Sequence, residues 1–328
     1  MKLHENQELF REAVLATSQM MEIPEIYVEK DYWVTLALYR IFHSEMAKEI
    51  VFKGGTALSK CYKLIERFSE DIDVVVLRKE GENDNQMKKK IRAAGKIVEA
   101  VMPEIAIPGL TNKMGNIRKT VHQYEKLFDG NFGQVREHIV FEATWLGSFE
   151  PFTRGFISSY IGDMMKRNQL NDLIFEYGLD AFELQVLSKE RTICEKIMSL
   201  ARFSFMENPY ENLANKIRHI YDIHMMLKNK EINSFFKSEQ FDEMMMKVGN
   251  DDFISYKNNN EWLKTHPSEA IIFCNPEKTW ENIKFVYRTK FRELVIGKLP
   301  REVELIESLK TVFNRLQQVK WNPQFPVV

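Results

Sequence analysis

The sequence has few cysteines and no long apolar run. Three cysteines in 328 residues, Cys61, Cys194 and Cys274, are too few and too scattered for a disulfide framework or a zinc site. No apolar stretch approaches the roughly 20 residues needed to cross a bilayer, and the N-terminal segment MKLHENQELF lacks the apolar core of a signal peptide. We therefore expect a cytoplasmic protein with buried thiols and no membrane partner.

An excess of either charge is also lacking. The 46 Lys and Arg residues nearly balance the 47 Asp and Glu residues, which gives a formal net charge of −1. This balance neither favours nor excludes a nucleic-acid partner, because a local basic patch acts within a neutral whole. With 44% hydrophobic residues, the chain is long enough for a substantial core, and its length suggests about two domains.

The most informative stretch, residues 50–76, predicts a strand, a tight turn, a helix and a second strand. The apolar run at residues 50–53 stops at Gly54-Gly55, where missing Cβ atoms let the backbone turn sharply and approach a ligand closely. Apolar residues then recur at helical spacing as far as Ile65, and Thr56 stands where its hydroxyl is expected to cap the first turn.

Two carboxylates begin the second strand of this stretch. Asp71 and Asp73 are two residues apart, so on a strand they point to the same side. Converging carboxylates repel each other unless a cation lies between them, and Mg²⁺ prefers oxygen ligands. The turn before the helix would offer backbone N–H groups and the positive end of the helix dipole to a triphosphate. Each motif alone is more typical of an ordinary solvated turn, whereas the ordered combination is much more specific.

The same stretch resembles the nucleotidyltransferase superfamily signature, and most closely the AbiEii/AbiGii, or MenA-like, toxin family. The family is marked by GGTAL, here Gly54 to Leu58, followed by R-x-S-x-D-hydrophobic-D, here Arg67, Ser69, Asp71 and Asp73. The 15 residues between Gly55 and Asp71 exceed the usual spacing of the superfamily and are similar to that of the toxin subgroup.

The resemblance implies roles for these residues. Asp71 and Asp73 would hold two Mg²⁺ ions. The β- and γ-phosphates of an NTP would be bound and oriented by residues of the turn and the second motif: Lys53, Gly54, Gly55, Thr56, Arg67 and Ser69. Upstream, Glu29 to Trp33 resembles an EKDYW element that often precedes the Gly-Gly motif in the family, although charges beside Tyr and Trp on a helix are also typical of a solvated face.

A third carboxylate is expected on a neighbouring strand. Residues 138–146, HIVFEATWL, alternate enough to predict a strand with Glu142 on one face. The superfamily places its third acidic ligand, usually the base for the attacking hydroxyl, on a strand beside the Asp-x-Asp strand. Glu142 is the acid best placed for that role, and an ordinary exposed strand glutamate is the alternative.

Two later motifs also resemble the family. The helix predicted at residues 188–205 contains E-R-T and E-K elements, in which Lys196 would reach toward the nucleotide phosphates; a surface lysine is the alternative. The helix predicted at residues 211–228 contains R-H-x-x-D, whose Asp222 would be essential at the site with His219 beside the nucleotide. Arg218 and Asp222, four residues apart, are equally compatible with a structural ion pair.

We therefore expect an α/β fold: a nucleotidyltransferase core domain at residues 1–180, with a small mixed sheet and flanking helices, and a mostly helical domain at residues 181–328. The active site would lie in the cleft between them. The predicted reaction transfers an NMP from an NTP to an acceptor hydroxyl. By resemblance, the acceptor is an RNA such as the tRNA acceptor end, and the protein is a toxin neutralised by an antitoxin. A metal-dependent phosphodiesterase or nuclease and a non-catalytic nucleotide-binding module are the alternatives.

Overall fold

The structure is a computed structural model that describes residues 1–113, 116–130, 135–145, 150–256 and 259–323. The chain forms two compact units, neither of which is continuous in sequence. Unit 1 comprises residues 1–63, 68–145 and 152–187, and unit 2 comprises residues 64–67, 146–151 and 188–328. The predicted division into domains 1–180 and 181–328 stays a prediction, because compactness does not test independent folding.

Unit 1 contains a seven-stranded mixed sheet within the described ranges. Its spatial order is β3-β4-β5-β2-β1-β7-β6, in which the pairs β2–β5 and β1–β7 are parallel and the other pairs are antiparallel. The strands are β1 (Ile50–Lys53), β2 (Ile72–Val76), β3 (Glu104–Ile105), β4 (Ile117–His122), β5 (Ile139–Thr144), β6 (Phe152–Ile157) and β7 (Phe182–Leu187). The predicted α/β class with a mixed sheet is confirmed.

Helices flank this sheet. They are α1 (Gln7–Met21), α2 (Glu25–Phe42), α3 (Gly54–Lys60), α4 (Asp84–Glu99), α5 (Tyr160–Arg167) and α6 (Asn171–Tyr177). Helix α4 packs against α2, β5, β4 and β2. The central strands are buried because nearly every position is apolar, and Asp73 and Glu142 are the partly exposed positions of β2 and β5.

Helix α3 is shorter than the sequence predicts. It ends at Lys60 instead of continuing to Ile65, so the predicted length is wrong. Lys63 has a left-handed backbone conformation with φ of 52°, which a right-handed helix does not accommodate. The chain then contributes residues 64–67 to unit 2.

The sequence interpretation did not identify β3, β4 or β6. β3 has two residues, β4 (IRKTVH) is mostly polar in its first half, and β6 (FTRGFI) is a largely exposed strand with a glycine inside it. Such strands lack a clear apolar pattern. The strand predicted at residues 138–146 is present as β5, and its last predicted residue, Leu146, lies outside the described residues.

Unit 2 is helical in its described part. Its helices are α7 (Lys189–Ser204), α8 (Pro209–Asn215), α9 (Ile217–Lys228), α10 (Lys230–Phe236), α11 (Glu239–Ser255), α12 (Ile271–Cys274), α13 (Pro276–Val286) and α14 (Glu302–Leu316). Across both units, none of the helices in the described ranges is long and apolar enough to span a bilayer.

Candidate functional site

Four charged residues form one row across the centre of the sheet in unit 1. Lys53 of β1 pairs with Asp73 of β2, Asp73 pairs with Glu142 of β5, and Glu142 pairs with Lys119 of β4. Directly paired residues point to the same face of a sheet. The row therefore places two adjacent carboxylates between two lysines, and Lys119 Nζ lies 3.5 Å from Glu142 Oε2.

Asp71 adds a third negative charge to this row. It immediately precedes β2 and lies two residues before Asp73. Burial, the largest cause, and the negative charges of Asp71 and Glu142 together raise the pKa of Asp73 to about 7, against the opposing effect of Lys53 and Lys119. The structure therefore brings together the three carboxylates that the sequence singled out.

The Gly-Gly turn lies against one of these carboxylates. Gly54 has φ of +83°, and a Cβ atom built on it would lie 2.3 Å from Asp73 Oδ2. Only glycine meets both the conformational and the steric requirement. Gly54 and Gly55 are both partly exposed, so the turn is open to solvent beside the carboxylate row.

Thr56 connects the turn to Asp71. Its buried hydroxyl lies 2.6 Å from the Asp71 carbonyl oxygen, to which it donates a hydrogen bond, and 3.1 Å from Ser69 Oγ. The predicted capping role of Thr56 is wrong, because the N-cap of α3 is Lys53 and Thr56 lies inside the helix. The hydroxyls of Thr56 and Ser69 therefore fix the backbone beside Asp71.

The donor atoms in this row fit a hard cation. Three carboxylates supply only oxygen ligands, which Mg²⁺ prefers. Burial is the main cause of the raised pKa of Asp73, and repulsion from Asp71 and Glu142, which a divalent cation would relieve, adds to it. Among the residues that the structure describes, no three acidic, histidine or cysteine side chains already converge as metal ligands. Asp71 instead contacts Arg136, with Nη1 at 2.9 Å from Oδ1, and Glu142 contacts Lys119.

The sequence alone did not assign Arg136 or Lys119 to this site. Arg136 belongs to no motif, and its sequence neighbours QVREH carry no distinctive pattern. Lys119 was recognisable only from the register of β4 on β5, and β4 itself was not predicted. Pairing across strands carries this information, and the sequence of one strand does not.

The EKDYW element is buried, so the interpretation as a solvated charged face is wrong. Lys30 Nζ lies 2.7 Å from Glu70 Oε2, and both side chains are buried. The Asp31 carboxylate pairs with Lys60 and accepts a hydrogen bond from the Tyr160 amide. Glu29 accepts hydrogen bonds from the amides of Leu127 and Phe128. The three charged residues of the element thus hold α2 against loops and helices of unit 1.

Unit 2 contains a separate cluster of candidate residues. Arg67 forms a bidentate ion pair with Asp222, in which the Nε–Oδ1 distance is 2.7 Å and the Nη2–Oδ2 distance is 2.8 Å. Lys196 Nζ lies 2.8 Å from Asp222 Oδ2. Burial acts to raise the pKa of Asp222, but the two cations outweigh it and hold that pKa below its usual value. Lys196 is only 6% exposed, so its interpretation as a surface lysine is wrong.

The charged residues of this cluster also act on His219. Burial lowers its pKa well below the ordinary value, and the charges of Lys196 and Lys216 lower it further. Its Nδ1 atom is buried and has no hydrogen-bond partner within the part of the chain that the structure describes. His219 is therefore a neutral imidazole beside the Arg67–Asp222–Lys196 cluster.

The mixed sheet with its flanking helices is the nucleotidyltransferase-like α/β fold that the sequence predicts. A family model described as "Nucleotidyl transferase AbiEii toxin, Type IV TA system" matches residues 36–322. The chain therefore belongs to the AbiEii nucleotidyltransferase toxin family and is a nucleotidyltransferase, which confirms the resemblance drawn from the motifs.

Comparison with solved structures gives a match at low sequence identity. MenT4, a nucleotidyltransferase toxin from Mycobacterium tuberculosis H37Rv, is similar over 88% of this chain and 92% of its own, with 14% sequence identity and a TM-score of 0.42. A comparison of the sequence with curated proteins gives no match.

Proposed function

We propose that this chain transfers an NMP from an NTP to an acceptor hydroxyl in a magnesium-dependent reaction. The observation that carries the proposal is the pairing of Asp73 with Glu142 on adjacent parallel strands, with Asp71 two residues away and Gly54 directly against the Asp73 carboxylate. Membership of the AbiEii family supports the same reaction class.

Asp71, Asp73 and Glu142 are the proposed ligands for two Mg²⁺ ions. Bound there, the ions would neutralise charge on the attacking and leaving oxygens. Gly54, Gly55 and Lys53 bind the nucleotide phosphates in this proposal. Thr56 acts by holding the backbone of Asp71 through its hydrogen bond to the Asp71 carbonyl, and Ser69 acts through its contact with the Thr56 hydroxyl.

The bond changes follow from the reaction class. The acceptor oxygen forms a bond to the α-phosphorus, the bond from the α-phosphorus to the bridging oxygen breaks, and pyrophosphate leaves with that oxygen. Glu142 takes the proton of the acceptor hydroxyl. In a reaction of this type, positioning and electrostatic stabilisation supply most of the acceleration.

The residues of the unit 2 cluster keep, in this proposal, the roles that the family resemblance implies. Arg67 and Lys196 orient the phosphates, Asp222 holds both cations in place through its two oxygens, and His219 contributes a neutral imidazole.

The biological context is also a proposal. The family description names a toxin of a type IV toxin–antitoxin system, so we infer that the protein acts as a toxin in the cytoplasm and is counteracted by an antitoxin. The proposed acceptor is an RNA, with the tRNA acceptor end as the first candidate.

The direct test is incorporation of label by the purified chain. Each of the four NTPs, labelled at the α-phosphate, is incubated with Mg²⁺ and with either total RNA or total protein. We expect transfer of label to RNA and release of pyrophosphate, with at least about a hundredfold loss in Asp71→Ala and Glu142→Gln. Glu183→Gln, which removes an acid that pairs with Arg154 on the surface, is the control and should retain activity.

The products also separate the alternatives. Cleavage of RNA or nucleotide without incorporation would identify a phosphodiesterase or nuclease. Binding of NTP without pyrophosphate release would identify a non-catalytic module. Full activity in Asp71→Ala would overturn the proposed site.

A further inference from the structure

Arg136 reaches the candidate site from the loop before β5. Its Nη1 atom donates to both oxygens of Asp71, at 2.9 Å from Oδ1 and 3.2 Å from Oδ2. The Arg136 side chain is 39% exposed and that of Asp71 is 29% exposed. An ion pair this accessible to water contributes little to stability, so its position calls for a functional explanation.

The backbone of Arg136 is held far more firmly than its side chain. Its amide donates to Glu70 Oε1 at 3.0 Å, and its carbonyl accepts a hydrogen bond from Lys30. Lys30 also donates to the His138 carbonyl at 2.9 Å and pairs with Glu70, and both side chains are buried. The buried ion pair of Lys30 and Glu70 thus fixes the backbone of Arg136, while the guanidinium lies at the carboxylate row.

The guanidinium and a divalent cation compete for the same oxygens. A carboxylate that binds a hard cation directs its lone pairs to the metal, which weakens its hydrogen bonds to Arg136. With a metal bound there, the donors of the guanidinium would become available for another acceptor. Its planar array of donors matches the oxygens of a phosphate group, which would arrive with the metal as part of the nucleotide.

We propose that Arg136 is a phosphate-binding residue of the transfer reaction, and that it exchanges Asp71 for a nucleotide phosphate when the metal and nucleotide bind. This inference rests on the proposed function and adds a residue that no motif assigns. Lys30 and Glu70 are positioning residues in it, because both hold the backbone of Arg136 and Glu70 Oε1 also lies 3.9 Å from Arg136 Nη1.

The exchange predicts that one variant, Arg136→Ala, binds the metal more tightly and the nucleotide more weakly. Arg136→Ala removes a competitor for Asp71, so Mn²⁺, used as a probe without nucleotide, should bind at least about threefold more tightly by isothermal titration calorimetry. The same variant loses a charge-assisted phosphate contact. An NTP analogue that resists cleavage at the α–β bridge should therefore bind about tenfold more weakly in the presence of metal.

Two further variants sharpen the test. Arg136→Lys keeps the charge but loses the planar array of donors, so its nucleotide affinity should lie between those of the wild type and the alanine variant. Arg154→Ala removes a surface arginine of unit 1 that pairs with Glu183 at 3.2 Å. It should leave both affinities unchanged.

The outcomes are separable from those of the proposed function. Weaker binding of both Mn²⁺ and nucleotide in Arg136→Ala would indicate a merely structural role, and unchanged binding of both would show that the residue has no part in the site. Either result overturns the inference about Arg136 but does not contradict nucleotide transfer by the wild-type protein. A wild-type protein that transfers no nucleotide would instead overturn the function itself.

Discussion

At the scale of single residues, Gly54 shows how steric limits place a glycine in the candidate site. Its positive φ and the close approach of Asp73 are independent requirements, and the sequence motif indicated only the first. Two other glycines have nearly the same conformation, Gly81 with φ of +81° and Gly109 with φ of +77°, and neither has a neighbour within 4 Å of a built Cβ. Substitution of Gly81 or Gly109 therefore tests the backbone strain alone, without a steric clash with a carboxylate.

Gly54→Ala should therefore be far more harmful than Gly81→Ala. Both variants carry the backbone strain of a left-handed alanine, about 1 kcal/mol. Only Gly54→Ala also displaces Asp73, so we expect at least about a hundredfold loss of transfer activity and the larger loss of unfolding free energy, measured by urea denaturation. Equal activity in the two alanine variants would show that the contact with Asp73 is irrelevant to the reaction.

The pKa of Asp73 predicts a pH-dependent stability. Its pKa rises from an ordinary value of 3.8 to about 7 in the folded state, so folding favours the protonated form. The stabilisation is complete below the unfolded value and is lost as the pH rises through about 7. Without divalent cations, Asp73→Asn should therefore raise the Tm by about 2 °C at pH 8 and by much less at pH 5.

Thermal denaturation in EDTA across this pH range measures the effect. The exposed Asp180 provides the control, because Asp180→Asn should shift the Tm equally at both pH values. Parallel pH profiles for the wild type and Asp73→Asn would contradict the raised pKa of Asp73, which burial and the neighbouring carboxylates cause.

At the scale of elements, the sequence predicted the strands with strong apolar patterns and the motifs they carry. Segments β1, β2, β5 and β7 were recognisable from their composition, and this sufficed to place Asp71 and Asp73. The register was not predictable, because pairing depends on partners distant in sequence. The row from Lys53 to Lys119, and the contact of Arg136 with Asp71, therefore became visible only in the folded structure.

Helix α3 and the start of β2 are connected by the Thr56 hydroxyl. Thr56→Val keeps the side-chain shape but removes the donor to the Asp71 carbonyl, so we expect a loss of about 1–2 kcal/mol in unfolding free energy and about a tenfold loss of activity as Asp71 shifts. Thr56→Ser retains the hydroxyl and should restore most of the activity.

A matched threonine distinguishes positioning from stability. The Thr17 hydroxyl donates to the Ala13 carbonyl at 2.7 Å and is also buried, so Thr17→Val removes a similar bond elsewhere in unit 1. It should lower stability without changing the kcat/KM of the folded enzyme. If both valine variants lose activity only in proportion to their stability, Thr56 has no positioning role.

At the scale of the whole molecule, the two compact units are not two successive segments of the chain. The sequence suggested two successive domains, yet residues 64–67 belong to unit 2 although unit 1 flanks them on both sides. Arg67 provides two of the ionic contacts of Asp222. The Glu66 carbonyl accepts hydrogen bonds from the amides of Ile296 and Gly297. Apolar periodicity gives no sign of such a crossing, because four residues are too few to carry a pattern.

A fragment that begins at Ser188 should therefore fold poorly. It contains Asp222 and Lys196 but lacks Arg67, and removal of one partner of a buried ion pair costs about 3–5 kcal/mol, a large share of the roughly 5–15 kcal/mol that stabilises a typical domain. We expect residues 188–328 alone to show no cooperative thermal transition by circular dichroism.

Full-length Arg67→Met, which isolates the lost charge, should lower the unfolding free energy by a similar amount. Glu261→Ala, which breaks an exposed ion pair with Lys264, should change it by less than about 0.5 kcal/mol. A fragment that melts cooperatively at the temperature of the full chain would show that unit 2 folds without the residue 64–67 segment and that the predicted C-terminal domain is autonomous.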